Sequence, residues 1–294
     1  MKTKIFNKKL AAFITMALFA FVIMSCNNDD TATPESDYSD IIDESYASEV
    51  FDEIEDIGDE AVDYLDNASV SKSGTESNWR YNRLSPCATI TRIYDVDMVS
   101  TTIDFGEENC LCNDGRERRG KIFINHYGYY WAGDVEIDYS FENYFVDDNQ
   151  LTGTKNVIRT INETGNRQSD ILVDGAMILA NNAGTITWYA ERMREVIEGS
   201  DTRDKSDDVI EVTGFSNGTL ADGTAISCEI ITPLIRINEI GCYRYFVSGV
   251  RKIIKGEEPE ITIDYGDGTC DNLAELTQDG VTTIIEIKRR KPIW

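Results

Sequence analysis

The chain has 294 residues, with 53 Asp and Glu against 28 Lys and Arg, one histidine, seven cysteines and a formal net charge of −25. So anionic a surface speaks against nucleic acid as a partner, because displacing phosphate counterions needs a cationic face. It speaks equally against charge-driven adhesion to anionic lipid.

Met1–Leu10 carries Lys2, Lys4, Lys8 and Lys9, Ala11–Met24 is almost wholly apolar, and the small Ser25 precedes Cys26. An apolar run of about 14 residues is shorter than the ~20 of a spanning helix, so residues 1–25 read as an export signal. The string Val22-Ile23-Met24-Ser25-Cys26 resembles the lipobox of bacterial lipoproteins. That resemblance implies that Cys26 becomes the N-terminus and carries fatty acyl chains such as palmitate. Four of the 28 basic residues leave with the signal, taking the formal charge to −29, so attachment falls to the lipid. One chain is marginal at about 0.8 kcal/mol per buried methylene, whereas the two or three chains of a lipoprotein hold firmly.

Residues 26–39 form an acidic, polar tether around Pro34. Asn27-Asn28-Asp29-Asp30 resembles the acidic export signal that sends lipoproteins of Bacteroidota to the outer face of the outer membrane; the periplasmic face is the alternative. Asp30-Thr31-Ala32 resembles the short O-glycosylation motif of that phylum, with Thr31 as acceptor.

Residues 40–66 predict an amphipathic helix. Ile42, Tyr46, Val50, Ile54, Ile57, Ala61 and Leu65 recur at three- and four-residue steps, one apolar stripe. Asp37 and Ser39 suit its start, and Gly58 weakens it by about 1 kcal/mol relative to Ala. Asn27–Val70 holds sixteen Asp and Glu and no Lys or Arg, so the opposite face reads as acidic and solvated. The alternative is a calcium or partner surface. Residues 67–78 read as a Ser/Gly linker.

From residue 79 to 294 the pattern changes to short runs of Ile, Val, Thr, Tyr and Phe between Gly, Asp and Asn turns. Ten runs stand out, from Thr89–Tyr94 to Thr282–Lys288, with Tyr243–Val247 among them. Thr185 to Glu195 reads as one long strand with its charges on one face. Asp174-Gly175, Asn217-Gly218, Asp222-Gly223, Asp267-Gly268 and Asp279-Gly280 read as turns. No helical period intervenes, so the fold class is mainly β: an antiparallel curved sheet, or a two-layer β structure, with one N-terminal helix.

This region contains an internal repeat, residues 87–125 and 242–287. Thr102-Ile103-Asp104-Phe105-Gly106 returns as Thr262-Ile263-Asp264-Tyr265-Gly266, and the same register aligns Cys110 with Cys270 and Gly120 with Gly280. If each copy opens with a hairpin, turning near Asp97 and Glu257, Cys87 meets Cys110 and Cys242 meets Cys270. Cys112 and Cys228 are then left for a third bridge. Cys228 with Cys242 is a rival, and six cysteines allow fifteen connectivities.

Thr102–Gly120 and Thr262–Gly280 are similar to segments of uncharacterised lipoproteins of Bacteroidota, which implies an envelope lipoprotein with no known activity. Asp264–Gly268 also resembles a turn of PKD-type β-sandwich modules.

Several groups invite chemistry. Asp264, Asp267 and Asp271 cluster around two glycines as weak calcium candidates; the simpler reading has them bonding local backbone N–H groups. Tyr127, Tyr129, Tyr130 and Trp131 offer a stacking platform for glycan rings, against the simpler reading that alternate rings pack in the core. His126 lacks a nucleophile beside it. Arg116, Arg118, Arg119 and Lys121, and Lys288–Lys291, are basic clusters that suit neutralising the acidic helix. No phosphate loop, nucleophile elbow or His-Glu-x-x-His motif occurs. The expectation is a non-catalytic lipoprotein, anchored in the outer membrane at the cell surface, that binds a glycan or protein partner and needs no cofactor. The alternatives are a lipid-handling half-barrel carrier and, more remotely, a glycan-active enzyme.

Overall fold

The computed structural model describes residues 39–70, 83–84, 87–202, 204–239, 242 and 245–287, with side chains of the helix from Ser45 to Asp66. The export signal, Cys26, the tether with Thr31, most of the linker and Lys288–Lys291 lie outside the described residues.

A single helix, α1 (Ser39–Val70), precedes fourteen strands: β1 (Thr89–Tyr94), β2 (Val99–Asp104), β3 (Cys110–Leu111), β4 (Glu117–Tyr127), β5 (Asp134–Val146), β6 (Asn149–Ile161), β7 (Arg167–Ile178), β8 (Thr185–Glu198), β9 (Val209–Thr219), β10 (Ala225–Ile237), β11 (Ser248–Lys255), β12 (Ile261–Asp267), β13 (Leu273–Gln278) and β14 (Val281–Glu286). Apart from β3, which pairs only with β4, each strand bonds the next in one antiparallel, curved, open sheet. α1 runs four residues into the expected linker. Of the strand expected at Tyr243–Val247, residues 243–244 lie outside the described residues and 245–247 are not strand; β11 begins at Ser248.

The two-residue period of the strands sets a buried face against an exposed one. β5 reads Val135, Ile137, Tyr139 on the buried side and Glu136, Asp138, Ser140 on the other. α1 lies against the buried face. Tyr46, Val50, Phe51, Ile54, Ile57 and Ala61 join Ile122, Ile124, Ile137, Tyr139, Val157 and Trp188 in one cluster. A second cluster, from Val196 through Ile210, Ile226 and Ile253 to Leu276, fills the C-terminal half of the sheet.

Two expected turns are strand interior. Asp174-Gly175 lies within β7 and Asn217-Gly218 within β9. Both glycines answer crowding: a Cβ on Gly175 would stand 2.6 Å from the Phe51 ring, and one on Gly218 1.9 Å from the Thr187 carbonyl oxygen. Asp222-Gly223 and Asp279-Gly280 do link strands.

The repeat is structural up to its cysteine loop. The hairpin turns occupy residues 95–98 and 256–260, and β2 matches β12. Cys87–Cys110 and Cys242–Cys270 are the two bridges, with Cα separations of 6.1 and 5.3 Å. Beyond the loop the register parts, since Asp104 pairs with Lys121 but Asp264 with Glu275. Gly120 therefore sits at a β4–β5 irregularity and Gly280 in a hairpin. The third bridge does not form: Cys112 packs in the first cluster and Cys228 in the second.

Candidate functional site

The acidic face of α1 is not solvated. Between Ser45 and Asp66 only Tyr64 is exposed; Glu53, Glu55 and Asp59 are about 5% accessible. Cations projecting inward from the sheet meet them. Glu53 takes Arg116 at 2.7 Å and Arg118 at 3.4 Å. Glu55 takes Arg159 at 2.9 Å, Arg194 at 3.1 Å and Lys155 at 3.5 Å. Asp59 takes Arg159 at 2.7 Å and also Lys205. Asp56 takes Arg83 at 3.1 Å, and Asp66 takes Arg92 at 2.5 Å.

For Glu55, Asp56 and Asp59 burial alone would push the carboxyl up, but the facing cations overcome it. Glu55 and Asp56 are held well below the ordinary carboxylate range and Asp59 below it. Lys155 is the converse case: burial draws it down against the pull of Glu55, and its Nζ also donates to the Phe51 carbonyl at 3.0 Å. Of the first basic cluster, Arg116 and Arg118 serve the helix. Arg119 pairs with Asp148, and Lys121 lies near Asp104 and Glu142. Charges on β8 fall on both faces, Arg192 and Arg194 inward to Asp52.

The three calcium candidates are each spent on a turn. Asp264 accepts from Gly266 N at 2.9 Å, Asp267 from Thr269 N at 3.2 Å and Asp271 from Leu273 N at 3.0 Å. Among the described residues no three acidic, His or Cys side chains form a metal-holding group.

The aromatic platform is divided. Tyr130 is buried, donating to Asp59 at 2.7 Å and lying 3.1 Å from the Tyr139 hydroxyl. Trp131 Nε1 donates to Asp66 at 3.2 Å. Tyr127 and Tyr129 are exposed. The four rings thus line no common surface, because Tyr130 and Trp131 are tied to the helix. His126 is buried with Nδ1 2.9 Å from the Gly128 carbonyl, and burial draws its pKa down.

A different surface gathers the groups that recognition needs. On the outer face, cross-strand rows run Glu191–Phe215–Glu229–Lys252 and Tyr189–Asn217–Ser227–Ile254 over β8, β9, β10 and β11. Phe215 is exposed, with the Tyr189 ring 6.4 Å from its own. Lys252 reaches Glu229 at 3.3 Å. The β9, β10 and β11 members of these rows, Phe215, Asn217, Ser227, Glu229, Lys252 and Ile254, line a depression of about 440 Å³, beside the register shift between Glu229 and Leu234. Extra residues in one strand of a pair open such a hollow and re-aim side chains. The alternation in Thr185–Arg192 placed Tyr189 on a strand, but the bulge that shapes the hollow has no mark in composition.

Compared with known proteins, the chain matches no family model, no curated protein and no solved structure.

Proposed function

We propose that this is a non-catalytic lipoprotein of a bacterial outer membrane, facing the cell exterior, that binds a glycan on the outer face of its sheet. The observation that carries this reading is the hollow where Phe215 stands beside Asn217, Ser227, Glu229 and Lys252, with the Tyr189 ring 6.4 Å from Phe215 just outside it. Flat rings cover the apolar faces of a sugar, while amide, hydroxyl and charged groups meet its hydroxyls. The hollow's residues sit on paired strands, in register from Ala225 to Glu229 before the bulge, so the surface is pre-organised and little entropy is lost on binding.

The export reading draws support from the two cysteine bridges, which belong to oxidising compartments. A lipid carrier needs an apolar lumen; here the face of β4–β8 is occupied by α1 and its ion pairs. A glycosidase needs a carboxylic acid ready to donate a proton. The buried Glu55 is held ionised by Arg194, Lys155 and Arg159, and Asp59 by Arg159 and Lys205; Asp208, which burial raises, is itself buried and committed to Arg167 at 2.7 Å.

Glycan-array screening of the wild type and Phe215→Ala tests the binding. A hit that weakens at least tenfold in the variant is expected; binding that is unchanged in Phe215→Ala, or to proteins alone, removes the glycan site. Cys26→Ser tests the anchor. The variant is expected to leave the membrane fraction, and its retention there would overturn lipid attachment.

A further inference from the structure

A second site, independent of the outer face, emerges from the charges around α1. Four helix carboxylates, Asp52, Glu55, Asp56 and Asp59, share one continuous network with six cations: Arg83, Lys155, Arg159, Arg192, Arg194 and Lys205. Glu60, one turn on, accepts from the backbone N–H groups of Arg83 and Leu84 at 2.8 and 3.0 Å. Its charge, with those of Glu53 and Asp114, also acts on Arg83, so the paired part of the network has carboxylates close to every cation in it.

Arg236 adds another. It lies on β10, and the register places it on the same inward face as Arg194 of β8, with Ile210 and Val212 of β9 between them. Among the described residues the Arg236 side chain makes no hydrogen bond and no ion pair, and its Nε is buried without an acceptor. The charges that reach it include two further guanidinium groups, Arg194 and Arg83, alongside Asp56 and Asp52. Both carboxylates are already shared, Asp56 with Arg83 and Lys205, Asp52 with Arg192 and Arg194. The Nε atoms of Arg192 and Arg194 are likewise buried without acceptors.

A guanidinium without a partner in a partly dehydrated space is costly, and arginine cannot relieve it by losing a proton. A counter-anion does relieve it. Planar guanidinium forks match the paired oxygens of a carboxylate or phosphate, giving short charge-assisted hydrogen bonds. We propose that Arg236, together with Arg194 and Arg83, forms a binding site for an oxyanion, the phosphate or carboxylate group of a small ligand, at the end of β10. Ile237 ends the strand, and the next residue, Asn238, is tied to the β8–β9 connection by its N–H to the Asp208 carbonyl at 2.9 Å.

The test uses the full chain, extracted in detergent and titrated at constant ionic strength with inorganic phosphate, with glucuronate and with chloride. Calorimetry and the thermal midpoint are the readouts. A saturable response to phosphate or glucuronate, absent with chloride, is expected, and which of the two acts identifies the ligand's acidic group. Arg236→Gln is expected to weaken it at least tenfold. Arg236→Lys, which keeps the charge and loses the fork, is expected to weaken it to a lesser degree. Equal responses to all three salts in the wild type would overturn the site without recourse to any variant. So would a phosphate or glucuronate response that survives intact in a folded Arg236→Gln.

Discussion

Gly58 sits in the middle of a 32-residue helix, where intrinsic propensity favours almost any other residue. The reason is the sheet. A Cβ at this position would lie 2.7 Å from Cε1 of Tyr139 and 3.2 Å from Cδ1 of Ile124. Tyr139 has no room to yield, being fully buried with its hydroxyl against that of Tyr130. Gly58→Ala should therefore pit a propensity gain of about 1 kcal/mol against an overpacking loss of about 1–3 kcal/mol. Net destabilisation is expected, seen as a lower urea midpoint with unchanged slope; an increase would show that the ring gives way. The same logic explains why glycine misled the reading of the strands. Gly175 and Gly218 stand beside Asp and Asn, as turn glycines do, yet each is there because Phe51 or the Thr187 backbone comes too close for a side chain. A sequence displays the glycine and its neighbours in the chain, but not the atom that crowds it from elsewhere.

At the scale of the element, α1 was half legible. Its apolar stripe followed directly from periodicity, and Tyr46, Val50, Ile54, Ile57 and Ala61 are buried as that pattern requires. Its acidic face was misread because a block of like charge with no local counterion normally belongs in water. Here the counterions come from strands about a hundred residues away, as Glu55 and Asp59 with Arg159 show. Arg116 and Arg118 could be noticed as a cluster; Lys155 and Arg194 could not, being single charges in β-strands. It follows that α1 should not be stable alone. Glu49 and Glu53, Asp52 and Asp56, and Glu55 and Asp59 are like charges four residues apart, each pair destabilising an isolated helix by a few tenths of a kcal/mol. A peptide of residues 39–70 is expected to show little helical circular dichroism at pH 7. It should gain helicity as its carboxylates are protonated near pH 4. Strong helicity at neutral pH would mean that the sheet's cations are not what holds the helix in place.

The intact molecule should respond to acid in the opposite sense. Its thirteen-strand antiparallel path leaves β1 and β14 pointing the same way, so the sheet cannot close on itself antiparallel. Cohesion across the concave side then falls to α1 and the two apolar clusters. Glu55, Asp56 and Asp59 have folded pKa values below their ordinary ones because cations of the strands and connections, Arg194, Lys155, Arg159, Arg83 and Lys205 among them, outweigh burial. Their contribution is present above about pH 4, the unfolded value, and is lost as pH falls toward the folded values. Asp208 works against this trend. Burial pushes it up to about 6 despite Arg167 at 2.7 Å, so its contribution is full below about pH 4 and disappears as pH rises through about 6. Urea midpoints measured from pH 7 downward should thus carry an Asp208-dependent rise between pH 7 and 5, opposed by His126, whose pKa burial draws down, and then fall steeply below about 4. Asp208→Asn keeps an oxygen to accept from Arg167 and removes the titration, so the variant should lose the rise and retain the fall. A wild type whose stability is flat below pH 4 would mean that the buried pairs between helix and sheet contribute nothing net. A rise that persists in Asp208→Asn would assign it to another group.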